Sequence, residues 1–180
     1  MSKFRLTSAL CGYILVVNLI VNDAAIFKFT NVACETYNKS WVTFSQCRLK
    51  AVSRDRVFLN IRAYIHYPAH RIMVHGKIFK RANGYKPWLY DKKVDACAFI
   101  RRKSNPLVLL VYNFFKDFSN INHTCPYEGE QIIKDLYLQQ DLLRVPLPSG
   151  DYMLTLQWYF DKKPQFDTNV SFSFVENIIP

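Results

Sequence analysis

From Tyr152 to Phe160 the chain alternates without a break. Tyr152, Leu154, Leu156, Trp158 and Phe160 fall on one side, and Met153, Thr155, Gln157 and Tyr159 on the other. Side chains of an extended backbone point to opposite faces in turn, so this segment reads as a strand with one apolar face. The pattern recurs at Val57, Leu59, Ile61, Ala63 and Ile65, with Asn60, Arg62 and His66 opposite, and again at Val170, Phe172 and Phe174. Strands of this kind are stable only when their apolar faces cover one another, so the expected architecture is all-β, one domain of two packed sheets.

Turn signals cut the chain at regular intervals. Pro68-Ala69 separates two strands, Asn83-Gly84 tolerates the positive φ of a tight hairpin, and Pro148-Ser149-Gly150 precedes the alternating run. About eight strands are expected, near 26–35, 42–52, 56–66, 71–81, 86–100, 130–139, 151–162 and 168–176. One segment departs from period two. Leu107, Leu110, Val111, Phe114, Phe115 and Phe118 recur at spacings of three and four, with Asn105 placed to cap and Pro106 in the first turn. That spacing predicts one short helix, although Val108, Val111 and Tyr112 also suit a strand.

The N-terminus reads differently. Lys3 and Arg5 precede an apolar run from Leu6 to Val21, closed by Ala24 and Ala25. This layout predicts a secretory signal over residues 1–24 and a single β-sandwich domain over 25–180, secreted to the extracellular space. Cys11 falls inside the signal, which leaves Cys34, Cys47, Cys97 and Cys125 as two disulfides. Four cysteines allow three pairings. Cys34 and Cys47 sit on consecutive predicted strands, and Cys97 and Cys125 flank the predicted helix. These positions favour Cys34–Cys47 and Cys97–Cys125 and leave the crossed pairings open. Asn38, Asn122 and Asn169 each begin an Asn-x-Ser/Thr sequon, and the strand phase puts Asn169 on the solvent side with Ser171.

Several of these segments together resemble a large insect family of secreted proteins. They are "FTNVACETYN", "CRLKAVSR", "NGYKPWLYDKKVDACAFI", "SNINHTCPYEG" and "PLPSGDYMLTLQWYFD". The family is catalogued as a domain of unknown function and is related to the CheB chemosensory proteins. The resemblance spans about residues 26–176. Its most specific motifs are Asp95-x-Cys97, Asn120-x-x-His123-x-Cys125-Pro126 and Pro148-x-Gly150-x-Tyr152. Through these relatives the chain is distantly similar to the lipid-recognition superfamily of the ganglioside activator. The resemblance implies an immunoglobulin-like sandwich and, by analogy, a hydrophobic ligand held between splayed sheets, in a chemosensory setting.

The residues offer little catalytic chemistry. His66, His70 and His75 are joined by no cysteine or paired carboxylate, oxidised cysteines supply no thiolate, and "PSGDY" lacks the glycines of a serine-hydrolase elbow. No enzyme activity, metal or cofactor is expected. The formal net charge is +10, with clusters at Lys80-Arg81, Lys92-Lys93, Arg101-Arg102-Lys103 and Lys162-Lys163. Such a balance attracts anionic partners. Outside the cell that means a lipid headgroup, a membrane surface or an acidic receptor rather than nucleic acid. The expected function is a carrier or co-receptor for a lipid or other hydrophobic small molecule. Its candidate contacts are Leu59, Ile61, Phe114, Phe118, Leu154, Leu156, Trp158, Phe172 and Phe174, with Arg101, Arg102 and Lys103 for an anionic head or a partner. The rival expectation is an extracellular interaction module with a filled core and a basic, glycosylated surface. Alternation gives the direction of each side chain, not whether the sheets part.

Overall fold

The computed structural model describes residues 26–143 and 146–176; the expected signal over 1–24 lies outside them. Eight strands form: β1 (Ile26–Thr36), β2 (Val42–Ala51), β3 (Val57–Ala69), β4 (Ile72–Ala82), β5 (Gly84–Asp95), β6 (Tyr127–Leu136), β7 (Gly150–Phe160) and β8 (Lys163–Val175). All pairings are antiparallel. The larger sheet runs β1-β8-β7-β4-β5 and the smaller β2-β3-β6, which is the expected two-sheet sandwich. No helix among the described residues is long and apolar enough to cross a membrane.

Alternation set the faces correctly. In β3, Leu59, Ile61, Ala63 and Ile65 are buried while Arg62, Tyr64 and His66 are exposed. Asn60 departs from its expected exposed place. It is buried because its Oδ1 accepts from the Asp135 backbone N–H, 3.0 Å away, where β6 bends at positive φ. In β8, Val170, Phe172 and Phe174 point inward beside Leu154, Tyr152 and Gly150 of β7. Asn83 and Gly84 turn β4 into β5, with Gly84 at φ 87.

Among the described residues two α-helices form where one was expected. β5 ends at Asp95 rather than near residue 100, because the Asp95 carboxylate accepts from the Ala98 N–H at 2.8 Å and starts α1 (Ala96–Arg102). Lys103 ends α1 at φ 47 with its N–H on the Phe99 carbonyl. The predicted helix is α2 (Pro106–Phe115), extended by a 3-10 turn through Phe118. Asn105 Oδ1 accepts from the Leu107 and Val108 N–H groups at 3.1 and 3.2 Å.

Both favoured disulfides are present. Cys34–Cys47 does not join neighbours within one sheet as the consecutive strands suggested. Cys34 lies on β1, an edge of the larger sheet, and Cys47 on β2, an edge of the smaller, so the bond staples the two sheets together. Cys97–Cys125 ties the start of α1 to the segment entering β6 and closes a loop around both helices.

Candidate functional site

The larger sheet carries a buried cluster at each end, and between them two inner-face leucines of β7 are only half-buried. At one end Phe27, Tyr152 and Phe174 form a buried cluster. Tyr152 is fully buried, and its hydroxyl donates to the Pro148 carbonyl at 2.5 Å. Gly150 makes that corner possible. It sits at φ 154, and a Cβ there would lie 3.0 Å from Lys80 Cε. At the far end Ile72, Phe160 and Phe166 pack with Val42, Ala69, Cys97 and Tyr127. Trp158 stacks on Phe166 with ring centres 5.3 Å apart, and its indole N–H donates to Thr168 Oγ1 at 3.1 Å.

Between these ends, Leu154 and Leu156 occupy the inner face of β7, flanked by strands on both sides. They are nonetheless only half-buried and join none of the three core clusters. Opposite Leu156 on β4 stands Gly76, with Val74 packed into the far cluster and Ile78 into the near one. A Cβ on Gly76 would meet Tyr90 Cε1 at 3.3 Å and Leu156 Cδ2 at 3.5 Å. The missing side chain is what allows the Tyr90 ring to lie against β4. Burial raises the Tyr90 pKa, and its hydroxyl oxygen is buried without a hydrogen-bond partner among the described residues. The fold accounts for this middle zone. Five strands of the larger sheet face three of the smaller, so strands of the smaller sheet do not cover its inner face across the whole width, although the two sheets meet at the far end through Val42, Ile65, Ile72 and Phe160.

A recess of about 410 Å³ opens at the Phe27 end, where β1 starts beside the β2–β3 turn. Phe27, Val57 and Leu138 supply apolar wall, and Ser53, Asp55, Arg56 and Gln140 supply polar groups. Behind Phe27 stand Phe114, Phe172 and Phe174, at ring-centre distances of 5.7, 5.8 and 5.7 Å. Leu138 packs against both the Phe27 cluster and a separate cluster of Phe29, Leu59, Ile61 and Leu136. The Arg56 guanidinium lies 4.9 Å from the centre of the Tyr137 ring, and Phe118 packs edge-on to the same ring at 5.4 Å. Lys28 Nζ donates to the Arg54 carbonyl at 2.9 Å and bridges β1 to the turn.

The apolar residues singled out from sequence thus occupy three zones. Phe114, Phe118, Phe172 and Phe174 stand behind the recess, and Leu154 and Leu156 occupy the half-buried middle. Leu59, Ile61 and Trp158 sit in packed clusters. Arg101, Arg102 and Lys103 are exposed on the last turn and cap of α1, with Lys103 Nζ 5.4 Å from the Tyr112 ring centre. None of the three lines the recess, whose cation is Arg56. Sequence reasoning missed Phe27, Tyr90, Tyr137, Leu138 and Arg56. Phe27 and Phe29 do alternate, and were legible as a strand start. Tyr90 was hidden because β5 is irregular around Leu89, at φ 54, where the β4–β5 register also shifts.

The sequence motifs are held in structural contacts. Asp95 caps α1. Asn120 Nδ2 donates to the Glu130 carbonyl at 2.7 Å while its Oδ1 accepts from the Ile132 N–H at 2.8 Å, clipping the loop to β6. His123 stacks on Tyr127, whose hydroxyl donates to the His123 carbonyl. Burial, followed by the proximity of Tyr112, pushes the Tyr127 phenol up to about 12. On the outer face the His75–Asp91 hydrogen bond holds the Asp91 carboxyl below its usual range. Among the sequons, Asn122 is exposed and Asn38 is half-buried; Asn169 is half-buried on the outer face between Ala33 and Thr155, and Ser171 on the same face is buried rather than solvent-facing as the strand phase suggested.

Residues 74–154 match the family described as "Protein of unknown function (DUF1091)". No curated protein matches the chain. Among solved structures the chain is similar to a Niemann-Pick type C2 protein from Japanese carpenter ant. Identity is 10%, the match covers 86% of this chain and 96% of that one, and the TM-score is 0.32. An overlap that loose bears on neither ligand nor mechanism.

Proposed function

We propose that this chain is a secreted, non-enzymatic binding protein that holds a lipid or other hydrophobic small molecule between its sheets. The observation that carries the reading is the half-buried pair Leu154 and Leu156, central in a sheet with a buried cluster at each end. Burying such surface against a ligand contributes about 25 cal/mol per Å². The recess outside the Phe27 cluster is a separate surface, where Arg56 at the rim suits the polar or anionic end of an amphiphile. Two disulfides and the exposed sequon at Asn122 suit an oxidising, extracellular setting. The sequence motifs, through which the chain resembles relatives of the lipid-recognition superfamily, support the same reading.

The test is native mass spectrometry of protein secreted from eukaryotic cells, before and after delipidation, with Leu156→Trp as a filling variant. A co-purifying apolar molecule that Leu156→Trp excludes supports the carrier. Ala63→Phe is a poor substitute, because Ala63 belongs to the packed far cluster. An unliganded wild type that also takes up no added lipid refutes it.

A second reading, an interaction module, is favoured by edge strand β5. Leu89 there is 80% exposed, and Lys86, Lys92 and Lys93 are exposed on the same strand. Under that reading the ligand assays are silent and Leu89→Ser abolishes capture of the partner.

A further inference from the structure

Three residues of β5 stand opposite one residue of β4. The register pairs Lys77 with Asp91 and Phe79 with Pro87, which leaves Trp88, Leu89 and Tyr90 to span the place of Ile78. The outer two of the three turn back to the sandwich. Trp88 packs against the Phe27 cluster, and Tyr90 lies beside Gly76. Leu89 between them is thrown outward. It is 80% exposed, the most exposed large hydrophobic side chain among the described residues, and its backbone sits at φ 54. Left-handed backbone is strained for leucine and ordinarily falls to glycine or asparagine. Neither packing nor backbone ease therefore accounts for a leucine at this position, and a strained residue held in place by its surroundings points to a use.

We propose that the bulged edge of β5 docks the protein on bilayers containing anionic lipid, with Leu89 as the inserted side chain and Lys86, Lys92 and Lys93 as headgroup contacts. The three lysines are exposed on the same strand. The acidic residue among them, Asp91, is already met by His75 and by Lys77 Nζ at 3.7 Å, so the edge presents positive charge. A partner strand is a poor occupant. β5 is the last strand of its sheet, but Pro87 has no N–H to offer and the bulge interrupts the ladder. A protein surface fits little better. Stable interfaces cover about 800 Å² on each side and exclude lysine from their centres, whereas the large exposed apolar residues of β5 are Leu89 and Tyr85 alone. A single leucine between amines suits a membrane surface, where the apolar side chain enters the acyl boundary and each cation stays with the headgroups. The inference goes beyond the carrier reading and does not depend on it.

The experiment mixes protein secreted from eukaryotic cells with vesicles of phosphatidylcholine and with vesicles carrying about 30% phosphatidylserine, and reads the bound fraction by co-sedimentation. Wild type should bind the anionic vesicles and leave the neutral ones, with binding falling as salt rises. Leu89→Asn should weaken binding about tenfold, the scale of one leucine side chain withdrawn from the bilayer. Its thermal unfolding should be no earlier than wild type, because asparagine tolerates positive φ and no packed side chain is lost. Replacing Lys86, Lys92 and Lys93 together by glutamine should weaken binding about a hundredfold, at about fivefold for each charge. Absence of wild-type binding to the anionic vesicles, or binding that Leu89→Asn leaves unchanged, overturns the inference. Neither result touches the carrier, whose ligand is read separately by native mass spectrometry. Earlier unfolding of Leu89→Asn marks a structural role for the leucine and overturns it as well. Capture of a protein through β5 without vesicle binding overturns it in favour of the interaction module.

Discussion

The carrier and the filled-core readings differ in what one leucine is worth. Leu59 is 3% exposed and packs with Phe29, Ile61 and Leu136. Truncating it to alanine removes about 2 kcal/mol of transfer energy and adds about 1–2 kcal/mol for the cavity left in rigid surroundings. The expected cost of Leu59→Ala is therefore about 3–4 kcal/mol. Leu156 differs on both counts. It is half-buried, so less transfer energy is lost, and it joins none of the three core clusters, so little new cavity is created. Leu156→Ala should cost about 1–1.5 kcal/mol. The two variants share one chemical change, so the difference of about 2 kcal/mol isolates the packing. Guanidinium unfolding of delipidated protein reads it as a shift in midpoint at constant slope. In thermal unfolding the same difference is about 4–8 °C for a domain of this size. Equal costs for the two truncations would refute looser packing between the end clusters. The lipid reading would then lose the observation it stands on.

Three further outcomes follow from the same contacts. Replacing Cys97 and Cys125 together by alanine opens a loop of separation 28 and should cost about 3.6 kcal/mol in the chain-entropy model, against about 3.0 kcal/mol for Cys34 and Cys47 with separation 13. Chemical denaturation of the two double variants checks that order. The raised pKa of Tyr127 places its contribution to stability below pH 10, with loss as the pH climbs towards about 12, since the unfolded chain releases that proton first. Tyr127→Phe should flatten the fall between pH 10 and 12 relative to wild type, followed by circular dichroism. Gly76→Val should push Tyr90 and Leu156 from β4, lowering the uptake of added lipid by delipidated protein while leaving the strand register intact by amide exchange.

Much of this molecule could be read from local pattern. Period two placed β3, β7 and β8 on their correct faces because each is flanked by partners and has one apolar side. Asn105 and Pro106 announced α2 because a cap acts on its own next residues. Local signals failed where two distant segments share a task. Cys34 and Cys47 are consecutive in the strand list yet belong to different sheets, which no spacing encodes. Asp95 ends a strand by capping a helix whose first residues, Ala96-Cys97-Ala98, carry little periodic signal.

The candidate site fell into the second class. Leu154 and Trp158 are equivalent by alternation, and both point inward. Trp158 finds Phe166 and Thr168 to pack on, while Leu154 finds no cluster. The distinction arises from the unequal width of the sheets and from one glycine on β4. Gly76 is not there for backbone freedom, since it lies within a regular pairing with Leu156. It is there for space, and the space receives a tyrosine from a strand whose register shifts near Leu89. A stable core places its largest apolar side chains where density is highest. Here a glycine, two half-buried leucines and an unsatisfied phenol meet at the centre of the widest sheet. Each gives up local stability that a fully packed sheet centre would hold, since half-buried leucines forgo transfer energy and a buried phenol without a partner carries an uncompensated desolvation cost.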